Sequence, residues 1–565
     1  MIENARKQID MLINDACVKA RAAGKLPGGA PLSGAVEIPR ETAHGDYAAT
    51  HALSAAKELK LAPRKIAEAL TEHIELEGSY FKALSIAGPG FINFFLSWKW
   101  YAEVIKTVEN MGDDYGAINI GKGDRVMVEF VSANPTGPMT IGNARGGVLG
   151  DTLASILEKA GYNVWREFLV NDAGNQIDLF GKSIDARYMQ LCLGESNYAF
   201  PDDGYHGDDI KALAALVYEN EGDKLTAIPE DVRIKKHIKF ALPHNVELMK
   251  KHLERYRIRF DEWFFESSMH ESGYLVQTIE LLDKGGLLYE KDGALWLKNT
   301  MLGADKDEVL RRANGFYTYY AMDIAYHRNK LARGFDKAID IWGADHHGHV
   351  VRLRTTLSSP ELGKALGMDG EKLNLIIMQM VRLLRDGETI KVSKRTGKAL
   401  TLNDLLDEIS VDACRFFFNA KPDSHLEFDL GLAIRQDSEN PVYYVQYAHA
   451  RICSLIALLA GEGIKTPGYK EIAAELLCTE AELELIKQIS QLPEEIKLAA
   501  RDYEPSRVNK YVVELAARFH KFYTDCRIKG EQSELLLARL KLADTTRIVI
   551  KNSLEILGIT APEKM

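Results

Sequence analysis

The segment from residue 125 to residue 171 constrains the fold of this chain more than any other part of the sequence. RVMVEFVSA at 125–133 is an apolar run in which only Glu129 carries a negative charge, as expected of a buried parallel strand. A loop rich in proline and glycine follows, ANPTGPMTIGNARGG at 133–147, and leads into an amphipathic helix. NVWREFLVN at 163–171 has the pattern of a second strand. This order of strand, glycine-rich turn, helix and strand predicts the start of a doubly wound parallel sheet.

The loop before that helix carries residues suited to binding phosphate. Gly142, Gly146 and Gly147 allow a ligand to approach the backbone, and a helix N-terminus offers free N–H groups with positive partial charge. The pattern is neither the P-loop signature nor the dinucleotide fingerprint, because no Gly-Lys-Ser/Thr follows and the glycines are spaced G-x-x-x-G-G. The loop alone leaves open the alternative of a tight strand-to-helix turn without a ligand.

A second segment, at 386–409, contains a cluster of cations. Lys391, Lys394 and Arg395 lie close together and are followed by a helix with a capping residue. Lysines on such a loop suit a polyphosphate whose leaving group gains charge in the transition state. An exposed basic turn without a ligand is the alternative.

The length of 565 residues is too great for one hydrophobic core and predicts two to four domains. Later strands of the sheet are predicted at 336–349 and 373–384. The predicted fold class is a multidomain α/β protein: a Rossmann-like doubly wound parallel sheet with a helical insertion, an N-terminal α+β domain and a C-terminal all-α bundle. The predicted boundaries are 1–110 for the N-terminal domain, 120–435 for the sheet domain, about 175–310 for its mostly helical insertion, and 440–565 for the bundle.

Composition narrows the function class. The six cysteines are scattered without a C-x-x-C pair, which predicts a reducing compartment and no structural metal. No stretch approaches the ~20 apolar residues of a membrane span, so we expect a cytoplasmic protein without a membrane partner. The net charge of −10 argues against indiscriminate binding of nucleic acid. Residues 501–565, however, carry more basic than acidic side chains. This excess of positive charge is equally compatible with selective binding of a polyanion and with a solvated helix face.

Several longer motifs resemble one protein family. The two loops resemble the signature motifs of class I aminoacyl-tRNA synthetases: His-Ile-Gly-His at Thr140 to Asn143, and Lys-Met-Ser-Lys-Ser at Lys391 to Arg395. The wider match is to arginyl-tRNA synthetases of the bacterial type, and it includes HGDYA at 44–48 and APEKM at 561–565. The resemblance thus covers essentially the whole chain. The other matching segments are VEFVSANPTGP, REFLVNDAGNQI, YTYYAMDIAYH, IWGADHHGH, KRTGKALTLNDLLDE and NPVYYVQYAHARI.

The resemblance implies a two-step reaction. L-arginine attacks ATP, which enters with Mg²⁺, to give arginyl-adenylate and pyrophosphate; the arginyl group then passes to the 3′ end of tRNA(Arg) with release of AMP. Catalysis in such enzymes is mostly positioning and charge stabilisation, without a covalent protein nucleophile. Separately from the resemblance, we expect a monomer.

The resemblance further implies a set of binding residues. Glu129 and Asp323 match acidic positions of the arginine pocket, since a guanidinium group needs charge-assisted acceptors. A neutral substrate would leave these two carboxylates unpaired, which disfavours a synthetase for another amino acid; the alternative for Glu129 is an edge-strand carboxylate facing water. The other implied residues are Asn134, Tyr319 and His346 for the substrate; Pro138, Thr140, Gly142, Asn143, Gly343, Asp345, Lys391, Ser393 and Lys394 for ATP; and Tyr443, Tyr447 and Met565, with domain 1–110 at the tRNA elbow, for tRNA.

The chain departs from the family pattern in one place. Thr140 and Asn143 stand where the first signature motif has histidines, and neither side chain can carry a charge. Catalysis then depends on the backbone N–H groups together with Thr140, Asn143, Lys391 and Lys394. The alternative is a catalytically impaired tRNA-binding paralogue that has kept the fold.

Overall fold

The computed structural model describes residues 2–39, 41–344, 347–385, 387–390, 400–419 and 425–565. At the N-terminus a four-stranded antiparallel sheet packs with helices that each bury one apolar face. The first helix buries Ile2, Ala5, Ile9, Ile13 and Ala16, whose spacing of three and four residues places them on one face. The elements are α1 Ile2–Ala22, β1 Val36–Glu37, β2 Tyr47–Ala49, α2 His51–Leu59, α3 Pro63–Thr71, β3 Phe81–Ala87, β4 Phe91–Leu96 and α4 Trp98–Met111.

The sheet domain follows. Its elements as far as the last strand of the central sheet are β5 Arg125–Glu129, α5 Ile141–Lys159, β6 Asn163–Val170, α6 Asn175–Leu193, α7 Asp208–Glu221, α8 Glu230–Arg255, β7 Glu262–Phe265, α9 Ser267–Glu271, α10 Tyr274–Lys284, β8 Leu288–Lys291, β9 Ala294–Leu297, β10 Glu308–Arg311, α11 Tyr319–Ala332, β11 Lys337–Gly343, α12 His347–Leu357, α13 Pro360–Leu366 and β12 Leu373–Met378.

The central sheet has five strands in the order β12-β11-β5-β6-β7, and every neighbouring pair is parallel. This confirms the predicted doubly wound fold. The strand β5 lies in the middle of the sheet and its apolar residues are buried, because helices cover both faces of such a sheet. An edge position for Glu129 is therefore wrong.

The predicted insertion at about 175–310 needs correction. The chain leaves the sheet after β6 and forms α6, α7 and α8, but it returns to the sheet at β7, within the predicted insertion. A separate antiparallel sheet of β10, β9 and β8 follows. The strand β7 is only four residues long and aromatic, so its pattern was too short to be separated from the helices around it.

The prediction of one strand at 373–384 also needs correction. The strand β12 ends at Met378, and a new strand begins at Val381 in a different sheet. From residue 441 onward the chain is helical, as predicted. Within the residues described, no helix has the length and apolar character needed to cross a membrane. The remaining elements are β13 Val381–Arg385, β14 Glu388–Ile390, α14 Leu402–Glu408, α15 Val411–Asn419, β15 Leu426–Asp429, α16 Leu430–Ala433, α17 Pro441–Gly461, α18 Glu480–Ser490, α19 Leu492–Asp502, α20 Ser506–Asp525 and α21 Ser533–Ile556.

Candidate functional site

A cleft of about 970 Å³ lies at the carboxyl ends of the central strands. Glu129 ends β5, Gly343 ends β11 and Met378 ends β12, and all three line the cleft. Strands β6 and β7 are added on one side of β5, and strands β11 and β12 are added on the other side. The loops that leave the sheet diverge where the two directions meet, and ligands bind at such a switch point. The sequence-predicted residues that line the cleft are Glu129, Asn134, Pro138, Thr140, Gly142, Asn143, Tyr319, Asp323 and Gly343.

The first signature motif forms the N-terminal cap of α5. The backbone N–H of Asn143 donates to Oγ1 of Thr140 over 3.3 Å, and the N–H of Thr140 donates to Oδ1 of Asn143 over 2.9 Å. This reciprocal pair is a capping box. It occupies both side chains with each other and leaves the N–H groups of Ile141 and Gly142 without a helical acceptor, so they are available to an anion.

The first signature motif is joined to the segment that follows the second one. Thr140 forms a backbone β-bridge with Thr401, and the N–H of Leu402 donates to the carbonyl oxygen of Met139 over 2.9 Å. Thr401 in turn caps α14. Residues far apart in the sequence are therefore brought together beside the helix start.

The glycines of the loop have different structural roles. Gly142 and Gly146 line the cleft. Gly147 does not line it: a Cβ atom added there would lie 2.7 Å from Cδ1 of Ile258. The prediction that Gly147 serves close approach of phosphate is thus wrong, and this glycine instead allows the helix to pack closely against its neighbour.

Glu129 is already paired within the protein. It is 2% exposed; Lys330 Nζ donates to its Oε2, and the hydroxyl of Ser132 donates to its Oε1 over 2.7 Å. Burial raises the pKa of Glu129, while the ammonium group of Lys330 opposes the rise. The expectation that this carboxylate would lack a partner without a cationic substrate is therefore wrong.

A strained turn follows Glu129 directly. Val131 and Ser132 have φ angles of +69° and +40°, in the left-handed region that β-branched residues rarely adopt. The turn points the hydroxyl of Ser132 at Glu129, and the same hydroxyl oxygen accepts from the N–H of Leu169 over 3.2 Å. Backbone strain of this kind is typical of functional sites.

Two further carboxylates lie in the cleft. Asp323 accepts from Nε2 of His349 over 2.7 Å, and the ring of His349 stacks on Trp342. Glu266 is 8% exposed, and burial together with the charges of Asp323 and Asp172 raises its pKa to about 7. Sequence reasoning missed Glu266, although a carboxylate directly after an aromatic strand repeats the pattern that singled out Glu129.

Polar side chains from the helical segment complete the cleft. Asn134, predicted to hold the substrate, accepts from Asn171 over 2.9 Å and donates to Gln176 over 2.7 Å. Tyr205 and His206, from the loop before α7, line the cleft as well. No pattern in the sequence predicts that this loop lies at the site.

Comparison with known proteins agrees with this geometry. Residues 107–429 match the model described as tRNA synthetases class I (R), catalytic domain. The chain is 49% identical to the arginine–tRNA ligase of Acetivibrio thermocellus over 100% of both chains, and 50% identical to that of Ruminiclostridium cellulolyticum over 99% of both.

The chain belongs to the arginyl-tRNA synthetase family.

The parts on either side of the catalytic match belong to the same family. Residues 7–96 match the arginyl tRNA synthetase N terminal domain, and residues 445–565 match the DALR anticodon binding domain. The arginyl-tRNA synthetase of Thermus thermophilus has the same fold, with a TM-score of 0.73 and 20% identity over 99% of this chain and 100% of that one.

Five of the residues that the family resemblance implies belong to segments outside the described part of the chain. Asp345, His346, Lys391, Ser393 and Lys394 lie outside the described residues. Among the residues that are described, no group of three or more His, Cys, Asp or Glu side chains is arranged to hold a metal ion.

An aromatic stack lies in the C-terminal bundle and begins just before the anticodon-domain match. The rings of Tyr443 and Tyr447 lie 6.2 Å apart and nearly parallel, and His520 continues the stack on Tyr447. The guanidinium group of Arg451 lies over Tyr447 and also 4.1 Å from the ring centroid of Tyr523. Met565, which was predicted to contact tRNA, is half exposed at the C-terminus.

Proposed function

We propose that this chain is an arginine–tRNA ligase that converts L-arginine and ATP to arginyl-adenylate and then transfers the arginyl group to the 3′ end of tRNA(Arg). AMP and pyrophosphate are released. One observation carries the proposal: a single cleft has an acidic end, with Glu129, Asp323 and Glu266, and a helix N-terminus at Thr140. A cationic amino acid and a polyphosphate can therefore lie side by side, as adenylate formation requires.

The acidic end binds arginine. Asp323 and Glu266 are buried or half-buried carboxylates whose charges repel one another, and a guanidinium group relieves that repulsion by donating hydrogen bonds to both. Tyr319 extends the wall of this end, and Asn134 with its amide partners binds the α-amino end. His346 is included on the family resemblance alone.

The other end binds ATP, which enters with Mg²⁺ on its phosphates as part of the substrate. The N–H groups at the start of α5 and its positive dipole end face the cleft and favour a phosphate group. Pro138, Gly142 and Gly343 leave room for the nucleotide, since they line the cleft with little side chain. Asp345, Lys391, Ser393 and Lys394 are assigned to ATP on the family resemblance.

Reaction then consists of attack by the arginine carboxylate on the α-phosphorus and departure of pyrophosphate. The chain contributes position and charge: the acidic end fixes the amino acid, and the helix N-terminus with Lys391 and Lys394 stabilises the charge that develops on the phosphates. Thr140 and Asn143 act by capping the helix and so orienting its N–H groups.

The aromatic stack of the C-terminal bundle binds the anticodon of tRNA(Arg). Unpaired bases stack on exposed aromatic rings, and Tyr447 is 39% exposed with the cation of Arg451 beside it. Tyr443 supports the stack and Met565 adds a contact at the chain end. The N-terminal sheet and helices contact the tRNA elbow, following the family.

Chain assembly and location are proposals of the same kind. The chain acts as a monomer in the cytoplasm; its free cysteines and the role of its relatives in translation support this location.

Transfer of labelled arginine to total tRNA, with ATP and Mg²⁺, tests the proposal. We expect charging that depends on ATP and is limited to arginine. Retained tRNA binding without charging would contradict the proposal and would favour the impaired paralogue, which the family comparisons do not support.

A further inference from the structure

Beneath the acidic end of the cleft lies a fully buried charge network. Lys330, on α11, is 0% exposed; its ammonium group pairs with Glu129 and donates to Oδ1 of Asp340 over 2.8 Å. Asp340 lies on β11 directly opposite Glu129 of β5 in the sheet register. One cation thus joins two carboxylates on neighbouring central strands.

The network continues to the second arginine-binding carboxylate. Nε2 of His327 lies 2.8 Å from Oδ2 of Asp340, and Nδ1 of the same ring lies 2.6 Å from the backbone carbonyl oxygen of Asp323. His327 is 1% exposed. The buried chain therefore reaches from the side chain of Glu129 to the backbone of Asp323.

Stability alone does not explain such a network. Removing charges from water is costly, and well-packed apolar side chains of the same volume usually stabilise a core as well as or better than a buried ion pair does. Here the network lies against the cleft and holds two carboxylates that face it. Its position indicates a role in the site.

We propose that Lys330 is a positioning residue, which holds the carboxylate of Glu129 in place and, through Asp340 and His327, fixes the distance between Glu129 and Asp323 before arginine binds. The inference rests on the proposed function, because it assumes that arginine is the cation received there. Lys330 itself does not touch the substrate: it is fully buried and does not line the cleft, whereas its partner Glu129 does.

Substitution Lys330→Met tests this role. The methionine fills a similar volume without charge, so Glu129 becomes a buried carboxylate without its cation and takes up a proton. We expect the KM for arginine to rise by roughly 10- to 100-fold, the contribution of one charge-assisted hydrogen bond. The KM for ATP should remain unchanged. An unchanged KM for arginine in the folded variant would overturn the inference.

A double variant separates positioning from general disruption. Glu129→Gln removes the carboxylate through which Lys330 reaches the cleft, and in Lys330→Met/Glu129→Gln the remaining carboxylate, Asp340, keeps His327 as its partner. We expect the double variant to have the same KM for arginine as Glu129→Gln alone. Independent, additive effects would overturn the inference. This comparison holds even where Lys330→Met alone does not fold.

The dependence of the KM for arginine on pH gives a readout that a structural defect would not change. The charged and titratable groups around Glu129 determine this dependence. Glu129 is faced by Lys330 and Tyr326 from α11, by Asp340 from β11, by Ser132 from the turn, and by Glu167 of β6, which is itself paired with Arg333. Asp323 and Glu266 also line the cleft.

In Lys330→Met, the KM for arginine should fall further with rising pH than in the wild type, because only the ionised Glu129 attracts the substrate cation. The ionisation of Glu266 contributes equally to both proteins and cancels in the comparison. The double variant should lose the additional dependence. Profiles of the same shape for the wild type and Lys330→Met would contradict the inference.

A matched control exists in the C-terminal bundle. Lys541 is 4% exposed and pairs with Glu109 and Asp544, so Lys541→Met also removes a buried cation between two carboxylates. We expect it to lower thermal stability and to leave the KM for arginine unchanged. Failure of the wild type to charge tRNA would refute the proposed function; normal charging with normal arginine KM in Lys330→Met refutes this inference alone.

Discussion

The two ends of the cleft are built in different ways. At the acidic end, Glu129, Lys330 and Asp340 are almost completely buried and are paired across strands and helices that are distant in the sequence. At the nucleotide end, Thr140 and Asn143 are neighbours on one exposed turn and are held by a local capping box. The acidic end is therefore preorganised by tertiary contacts, and the nucleotide end is preorganised by backbone geometry.

Threonine at residue 140 meets the structural requirement that the local turn makes of this position. What the local turn requires at residue 140 is a cap for α5, and threonine is among the residues that supply one. The acidic end has less freedom, because Glu129 depends on Lys330 and Asp323 depends on His349, each a partner in another element. The effects of substitutions at the two ends should therefore differ in magnitude and in physical cause.

The largest effect is expected for Asp323→Asn. The variant keeps the shape of the side chain but removes the charge that faces the guanidinium group, so kcat/KM for arginine should fall by roughly 100- to 1,000-fold. Steady-state aminoacylation at varied arginine concentration measures it. Tyr447→Ala is the matched control, which should raise the KM for tRNA only. Wild-type use of arginine by Asp323→Asn would contradict the assignment of the pocket.

A smaller effect, dependent on pH, is expected for Glu266→Gln. Since the pKa of Glu266 is about 7, arginine affinity of the wild type should increase from about pH 6 to about pH 8 as this carboxylate ionises. The variant should bind arginine about 10-fold more weakly at the higher pH and without that increase. Isothermal titration calorimetry at several pH values provides the measurement, and an identical profile in both proteins would exclude Glu266 from the arginine site.

The same residue should influence stability with a defined sign. Between its ordinary pKa of 4.5 and the value of about 7, the folded protein retains a proton that the unfolded chain has released. The contribution of Glu266 to the free energy of unfolding therefore falls as pH rises through this window, by up to about 3 kcal/mol. Glu266→Gln should remove this loss, which urea unfolding at about pH 5 and about pH 8 would detect.

The smallest effect is expected for Thr140→Val. The introduced side chain has the same shape but cannot cap α5, and losing such a cap costs about 1 kcal/mol, so arginine activation should slow by about fivefold. Thr140→Ser keeps the cap and should retain the wild-type rate. Equal rates in the Thr140→Val variant and the wild type would show that the capping box does not orient the N–H groups used in the reaction.

Sequence reasoning predicted the central fold well where the signal is local. The apolar run at 125–133, the helix after it and the second strand were recognisable because each has a clear hydrophobic period over enough residues. The four-residue strand β7 was not recognisable, because a short aromatic run among helices has no distinguishing hydrophobic period. Glu266, which follows this strand, was missed for the same reason.

The sequence by itself determined the family and the parallel sheet, since both depend on residues that are close together along the chain. Only the tertiary structure decided the partners of the acidic residues: Glu129 and Lys330 are 201 residues apart, and they meet because α11 packs across the strands β5 and β11. An ion pair of that separation leaves no periodic trace in a sequence. Its existence follows from the order of the strands, which is settled when the whole domain folds.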